Sequence, residues 1–147
     1  MPTNRITSLL LVVVQFASLA GILATGPMLP RSLPGLVLVG LGVVTGLWAL
    51  AAMPPRTLHV LPDVRPTATL AVHGPYRWIR HPMYSALLCA TLGLLTERVS
   101  WIRVAFWLVL AVDLWIKLGY EEARLTERFP DYPAYRTRTT RLIPFLL

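Results

Sequence analysis

The chain has 147 residues, 55% of them hydrophobic and 14% charged, with a net charge of +7 and a mean hydropathy of +0.59. This balance excludes an ordinary soluble domain, and a single cysteine, Cys89, excludes an intrachain disulfide and a thiolate zinc site. The charges lie between apolar blocks, so the basic excess of thirteen Arg and one Lys reads as membrane topology and contact with anionic lipid, not as nucleic-acid binding.

The apolar blocks predict an all-α, polytopic membrane protein forming one domain over residues 1–147, with about four transmembrane helices. The first covers residues 6–25. With Arg5 before it, the run resembles a signal peptide. It is nevertheless as long as a bilayer span and no small-x-small cleavage site follows, so it reads as a retained helix. Gly26-Pro27 ends it. The second helix, 33–53, ends at Pro54-Pro55, and its Gly42-x-x-x-Gly46 spacing is a helix-packing pattern, not a nucleotide loop. Residues 54–81 form a polar connection that Pro54, Pro55, Pro62, Pro66 and Pro75 hold extended or turned. A short third helix covers 82–96. After the turn Glu97-Arg-Val-Ser100, a fourth covers 101–120 and continues as an amphipathic helix through Arg128, where Pro130 breaks the pattern.

Charge sets the orientation. The N-terminus, the 54–81 connection and everything from Lys117 onward carry eleven Lys/Arg, against three (Arg31, Arg98, Arg103) in the opposite turns. Both termini and the long connection therefore face the cytoplasm. The excess of Arg over Lys points to a GC-rich bacterial source, and so to a multi-pass protein of a bacterial inner membrane.

Polar residues stand in two places where apolar ones are expected. Arg77, Arg80 and His81 immediately precede the third helix. There Pro82 holds His81 in an extended backbone and the first helical amides offer an anion site, while Arg77 and Arg80, with Trp78 and Tyr84, have the character of headgroup anchors. On the fourth helix Asp113, Lys117 and Glu121 follow one another at four-residue intervals along one face. Such a stripe serves either as a structural ion pair or as the charged wall of a ligand site. His59, His73 and His81 show no metal-ligand spacing.

Together, Gly74-Pro-Tyr-Arg-Trp-Ile-Arg-His-Pro-Met-Tyr84 and Glu121-Glu122-x-x-Leu125, with Phe129, Tyr132, Tyr135, Arg138 and Ile143-Pro144-Phe145, resemble the isoprenylcysteine carboxyl methyltransferase family and its phospholipid-methyltransferase relatives. The likeness covers the C-terminal half, residues 68–145. It implies an integral membrane enzyme that uses S-adenosylmethionine, held on the cytoplasmic side between the 54–84 connection and the C-terminal helical tail. By this resemblance Ala68, Thr69, Leu70, Ala71, Tyr76, His81, Pro82, Met83, Tyr84 and Glu121 line the cofactor pocket. Glu121 and Lys117 are the catalytic candidates, Lys117 standing where the family commonly has arginine near the incoming acceptor. The partners implied are membrane lipids and a lipophilic or small-molecule acceptor whose methylated group is a carboxylate, thiol or amine. Two other readings stay open: a nicotinamide-dependent membrane reductase, whose relatives share an Arg-His-Pro-x-Tyr-like element, and a non-enzymatic packing or adaptor protein. The Gly42/Gly46 face can pack within or between subunits, so the sequence leaves oligomeric state open.

Overall fold

A computed structural model describes residues 5–54 and 69–144. The described chain is helical: α1 (Arg5–Ala24), α2 (Leu33–Ala52), a 3-10 turn (Gly74–Arg77), α3 (Pro82–Glu97), α4 (Trp101–Arg128) and the short α5 (Tyr132–Arg136). No strand occurs among the described residues; a single parallel bridge joins Ile79 to Thr140. His59 and the prolines at 55, 62 and 66 lie outside the described residues.

The punctuation follows the sequence closely. Pro34 enters α2 near its start, where a missing amide costs nothing, and Pro82 opens α3 for the same reason. Ser100 caps α4, its hydroxyl accepting from the Arg103 amide at 3.3 Å. α1 and α2 are long and apolar enough to cross a membrane, and only 17% of each apolar window is buried within the protein. That low burial separates them from the core helices of a soluble domain, whose apolar faces are covered by protein.

The helices associate in two pairs, α2 along α3 and α1 along α4. Small residues bring α2 and α3 together. A Cβ on Gly42 would stand 2.6 Å from the Ala86 carbonyl oxygen and 2.7 Å from the Ala90 amide, and one on Gly93 would stand 2.8 Å from the Gly35 carbonyl oxygen. The Gly42/Gly46 face therefore packs inside the chain, onto α3. The pairs meet over Ile22, Leu94, Leu110 and Leu114.

The end opposite the Arg-His-Pro segment is closed by polar groups that satisfy helix termini. Arg103, fully buried, donates through Nη2 to the Ile22 carbonyl near the end of α1 and through Nη1 to the Arg98 carbonyl. Gly26 leaves room for it, since a Cβ there would lie 2.6 Å from the guanidinium. Glu97 accepts from the amides of Arg31 (2.9 Å) and Ser32 (3.0 Å) at the start of α2. These backbone bonds hold its carboxyl below the ordinary carboxylate range.

The close approach of α2 to α3 gives a direct comparison. Gly42→Val should destabilise the protein by about 1–3 kcal/mol through overpacking. Gly40→Val, where nothing lies within 4 Å, should leave the thermal midpoint in detergent nearly unchanged.

Candidate functional site

The site begins at Gly74. Its φ of +59° and the 2.7 Å approach that a Cβ would make to Ala52 call for glycine here, and they seat the 3-10 turn on the end of α2. Trp78, just beyond that turn, tilts against Trp48 of α2 at a centroid distance of 5.8 Å. The chain then reaches His81, whose backbone (φ −124°, ψ 59°) stays outside the helical region ahead of Pro82, and α3 starts.

The C-terminal tail docks on this helix start through its backbone. The Arg80 amide donates to Thr140 O (2.8 Å), the Thr140 amide to Trp78 O (2.9 Å) and the His81 amide to Arg141 O (3.1 Å). The Ser85 hydroxyl donates to Leu142 O, and Tyr135 donates to Tyr76 O at 2.7 Å. This corrects one expectation. The amides of Tyr84 and Ser85 close on His81 O, and that of His81 is taken by the tail. Protein carbonyls thus take the amides of His81, Tyr84 and Ser85 at the start of α3, where an open anion site was expected.

Arg80 also departs from the expectation of a headgroup anchor. Its side chain is 7% exposed and donates from Nε to Glu122 Oε1 at 2.7 Å. Nη1 bonds the carbonyls of Arg136 and Thr139. The reason is a buried carboxylate that needs a counter-charge. Arg77, exposed and set over Trp78 at 5.7 Å, keeps the character of an anchor.

The paired glutamates of α4 divide their roles because neighbouring helical residues point about 100° apart. Glu122, 5% exposed, is held by Arg80 and by Arg141 at 3.1 Å, with His81 Nε2 at 3.7 Å. Burial raises its carboxyl, but His81 and Arg80, helped by the charge of Arg141, outweigh that and hold it at about 2. Glu121, with 24% of its side chain exposed, is the acid that a ligand can reach. It lies 3.3 Å from His81 Nδ1 and accepts from the Tyr84 hydroxyl. Burial works against charge on His81, yet the two carboxylates prevail and its pKa rises above 6.5. The Tyr84 ring lies parallel to the imidazole at 5.6 Å.

Three buried polar atoms here have no hydrogen-bond partner among the described residues: Tyr76 Oη, His81 Nε2 and Tyr132 Oη. Burial, with Tyr135 and Glu121 nearby, pushes the Tyr76 phenol well up, and burial raises that of Tyr135 to about 12. Both are neutral donors at physiological pH.

Of the sequence-predicted residues, His81, Pro82, Tyr84 and Glu121 come together around one point, with Tyr76 adjoining. Met83 is at the surface, 37% exposed. Thr69, Leu70 and Ala71 form irregular chain leading into the 3-10 turn, and Ala68 lies outside the described residues. Lys117 is buried deeper in the bundle, donating to Gln15 of α1 with Asp113 at 4.0 Å. Sequence reasoning missed Gln15 and underrated Glu122, Arg80 and Arg141. An isolated amide within an apolar span was the available signal for Gln15. Nothing in the local pattern shows that residue 141 returns to residue 122.

Residues 30–131 match the model of the phospholipid methyltransferase family. The chain belongs to that family. Membership carries methyl transfer, not hydride transfer, and with the two apolar helices it makes this a membrane protein. No curated protein matches the chain. The matched segment holds α2 through α4 and thus His81, Tyr84, Lys117 and Glu121; α1 with Gln15 and the docked tail lie outside it.

The junction of tail and helix start should depend on pH with two limbs. Glu122, depressed from 4.5 to about 2, contributes fully above pH 4.5, and that contribution is lost as pH falls toward 2. His81, raised, contributes fully below pH 6.5 and loses it as pH climbs through the higher folded value. Protection of the Arg80, His81 and Thr140 amides from exchange in detergent, relative to their intrinsic rates, should be greatest between those limits. Glu122→Gln should flatten the acid limb and speed exchange at least tenfold.

Proposed function

We propose that the protein is an S-adenosylmethionine-dependent methyltransferase with four membrane crossings, acting on a lipid-borne acceptor at the cytoplasmic edge of a bacterial inner membrane. The observation that carries this reading is the convergence of His81, Tyr84 and Glu121, with Tyr76 adjoining and two polar atoms, Tyr76 Oη and His81 Nε2, that have no hydrogen-bond partner among the described residues. That donor set fits the cofactor. Glu121 is the accessible acid for its ammonium, and Tyr76 and Tyr84 supply aromatic surface and phenolic donors for its adenosine. The carboxylate end finds its cation in His81 or Arg141, since the Tyr84 and Ser85 amides are occupied.

Four crossings are consistent with helix length. The sixteen residues of α3 span about 24 Å, short for hydrocarbon of about 30 Å, which favours a tilted or locally thinned setting. The 28 residues of α4 reach about 42 Å, enough to cross and to carry Glu121 and Glu122 beyond the bilayer.

The bound cofactor supplies an activated methyl group on a sulfonium. What the protein adds is alignment and exclusion of water. Tyr84 orients the Glu121 carboxylate through its hydroxyl, and His81 restrains it from the other side. Arg80 and Arg141 fix Glu122, and with it the tail that covers this end of the bundle. An acceptor entering from the lipid approaches between α3 and α4.

His81→Ala and Glu121→Ala should abolish binding of S-adenosylhomocysteine, measured by calorimetry in detergent, while helical content stays intact. Near-normal binding by both would remove the pocket from this place. Lys117→Ala should cut turnover at least tenfold with cofactor affinity within about threefold; the reverse pattern would move Lys117 into the cofactor shell.

A further inference from the structure

The end of the bundle away from the His81 segment carries positive charge that methyl transfer does not use. A cleft of about 630 Å³ opens there, lined by residues 27–31 of the α1–α2 turn and by Glu97 and Arg98. Glu97 is the only acid between Asp63 and Asp113, and residues 1–62 hold none. It stands among three arginines, Arg31, Arg98 and Arg103, so the charges at this end do not balance. Nor does Glu97 bind any of their side chains. Its carboxylate is held by the amides of Arg31 and Ser32. Among the described residues, no carboxylate lies within 4.0 Å of these three guanidiniums.

Arg103 sharpens the imbalance. It is fully buried against Gly26, the residue before Pro27 of the cleft. Its partners are the carbonyls of Ile22 and Arg98, which accept hydrogen bonds but bring no net charge, and its Nε has no partner among the described residues. The bond to Arg98 O also brings two like charges into one turn, where they repel. Arg31 and Arg98, both exposed, open onto the cleft. What this end lacks is an anion.

The surroundings say what should carry it. Met28 and Leu29 in the cleft wall are 71% and 72% exposed, and Leu33, Val99 and Trp101 nearby are more exposed still. Such an apolar surface is unfavourable in water and natural at the edge of a bilayer, where Trp101 sits at headgroup level. A free phosphate would answer the arginines and leave Met28 and Leu29 uncovered. A zwitterionic lipid would return a cation to a site that already has too many.

We propose that this cleft binds one anionic glycerophospholipid, with its phosphate between Arg31 and Arg98 and its acyl chains along Met28 and Leu29. Guanidinium suits a phosphate because its planar fork donates several bonds at once. The bound lipid joins the α1–α2 turn to the end of α3 from outside, as Glu97 joins them from within. The site is separate from the cofactor and from the methyl acceptor.

The test uses the full-length protein in detergent, with dioleoyl-phosphatidylglycerol, dioleoyl-phosphatidylcholine and inorganic phosphate as probes. In native mass spectra the wild type should retain one phosphatidylglycerol about tenfold better than phosphatidylcholine. Phosphatidylglycerol should raise its thermal midpoint, and inorganic phosphate at equal concentration should not. Arg31→Gln with Arg98→Gln should abolish the preference, while S-adenosylhomocysteine binds within about twofold of wild type. Met28→Glu, at an exposed position, places a like charge beside the phosphate and should abolish it too, which covers poor folding of the double variant. Arg136→Gln with Arg138→Gln removes the same net charge from the exposed tail and should keep the preference. Equal retention of both lipids by the wild type overturns the proposal, as does equal stabilisation by inorganic phosphate. So does a preference that survives in Met28→Glu or in a folded double variant. Loss of the preference in the tail variant also overturns it, because net charge alone would then be the cause.

Discussion

The carboxylate of Glu122 is the constraint around which the end of the protein that carries the His81 segment is arranged. It is nearly sealed from solvent, and a charge in that position is costly unless it is matched. Arg80 from the helix start, Arg141 from the tail and His81 between them match it. Removing one partner from such a cluster typically costs about 3–5 kcal/mol, because the remaining charge is left buried and uncompensated. The backbone bonds of Thr140 and Arg141 to residues 78, 80 and 81 then follow, since Arg141 can reach Glu122 only if the tail lies against the start of α3.

This arrangement frees the neighbouring acid. Glu122 absorbs the arginines, so Glu121 is left with Tyr84 and His81 and part of its surface open. Two adjacent glutamates thus do different work because a helix turns by about 100° per residue. One holds the tail to the bundle, and the other faces the place where a ligand can come. His81 couples the two, stacked on Tyr84 and set between both carboxylates.

The opposite end solves a different problem with the same means. Helix ends leave backbone groups without partners, and in a membrane no water is available deep in the bundle to meet them. Arg103 answers the Ile22 carbonyl near the end of α1, and Glu97 the Arg31 and Ser32 amides just before α2. Arg103 thereby ties α4 to α1, and Glu97 ties the end of α3 to the start of α2. Between the two ends Lys117 donates to Gln15, and Asp113 has no hydrogen-bond partner among the described residues.

Much of the fold is legible in the sequence because its determinants are local. Apolar runs of membrane length, Pro34 and Pro82 at helix starts, Ser100 as a cap and Pro130 as a stop mark the helices to within a few residues. The meeting of the His81 segment with Glu121 could be read from the paired motifs. Three things could not. That Gly42 packs within the chain depends on which face of α3 is presented to it. That Arg80 turns inward depends on a carboxylate 42 residues away, and that the His81 amide is taken depends on the return of the tail. Composition and periodicity determine which segments become helices and which faces are polar. Only the tertiary structure decides which charges meet, because long-range partners are chosen by the need to compensate buried groups, and that need exists only once the chain has folded.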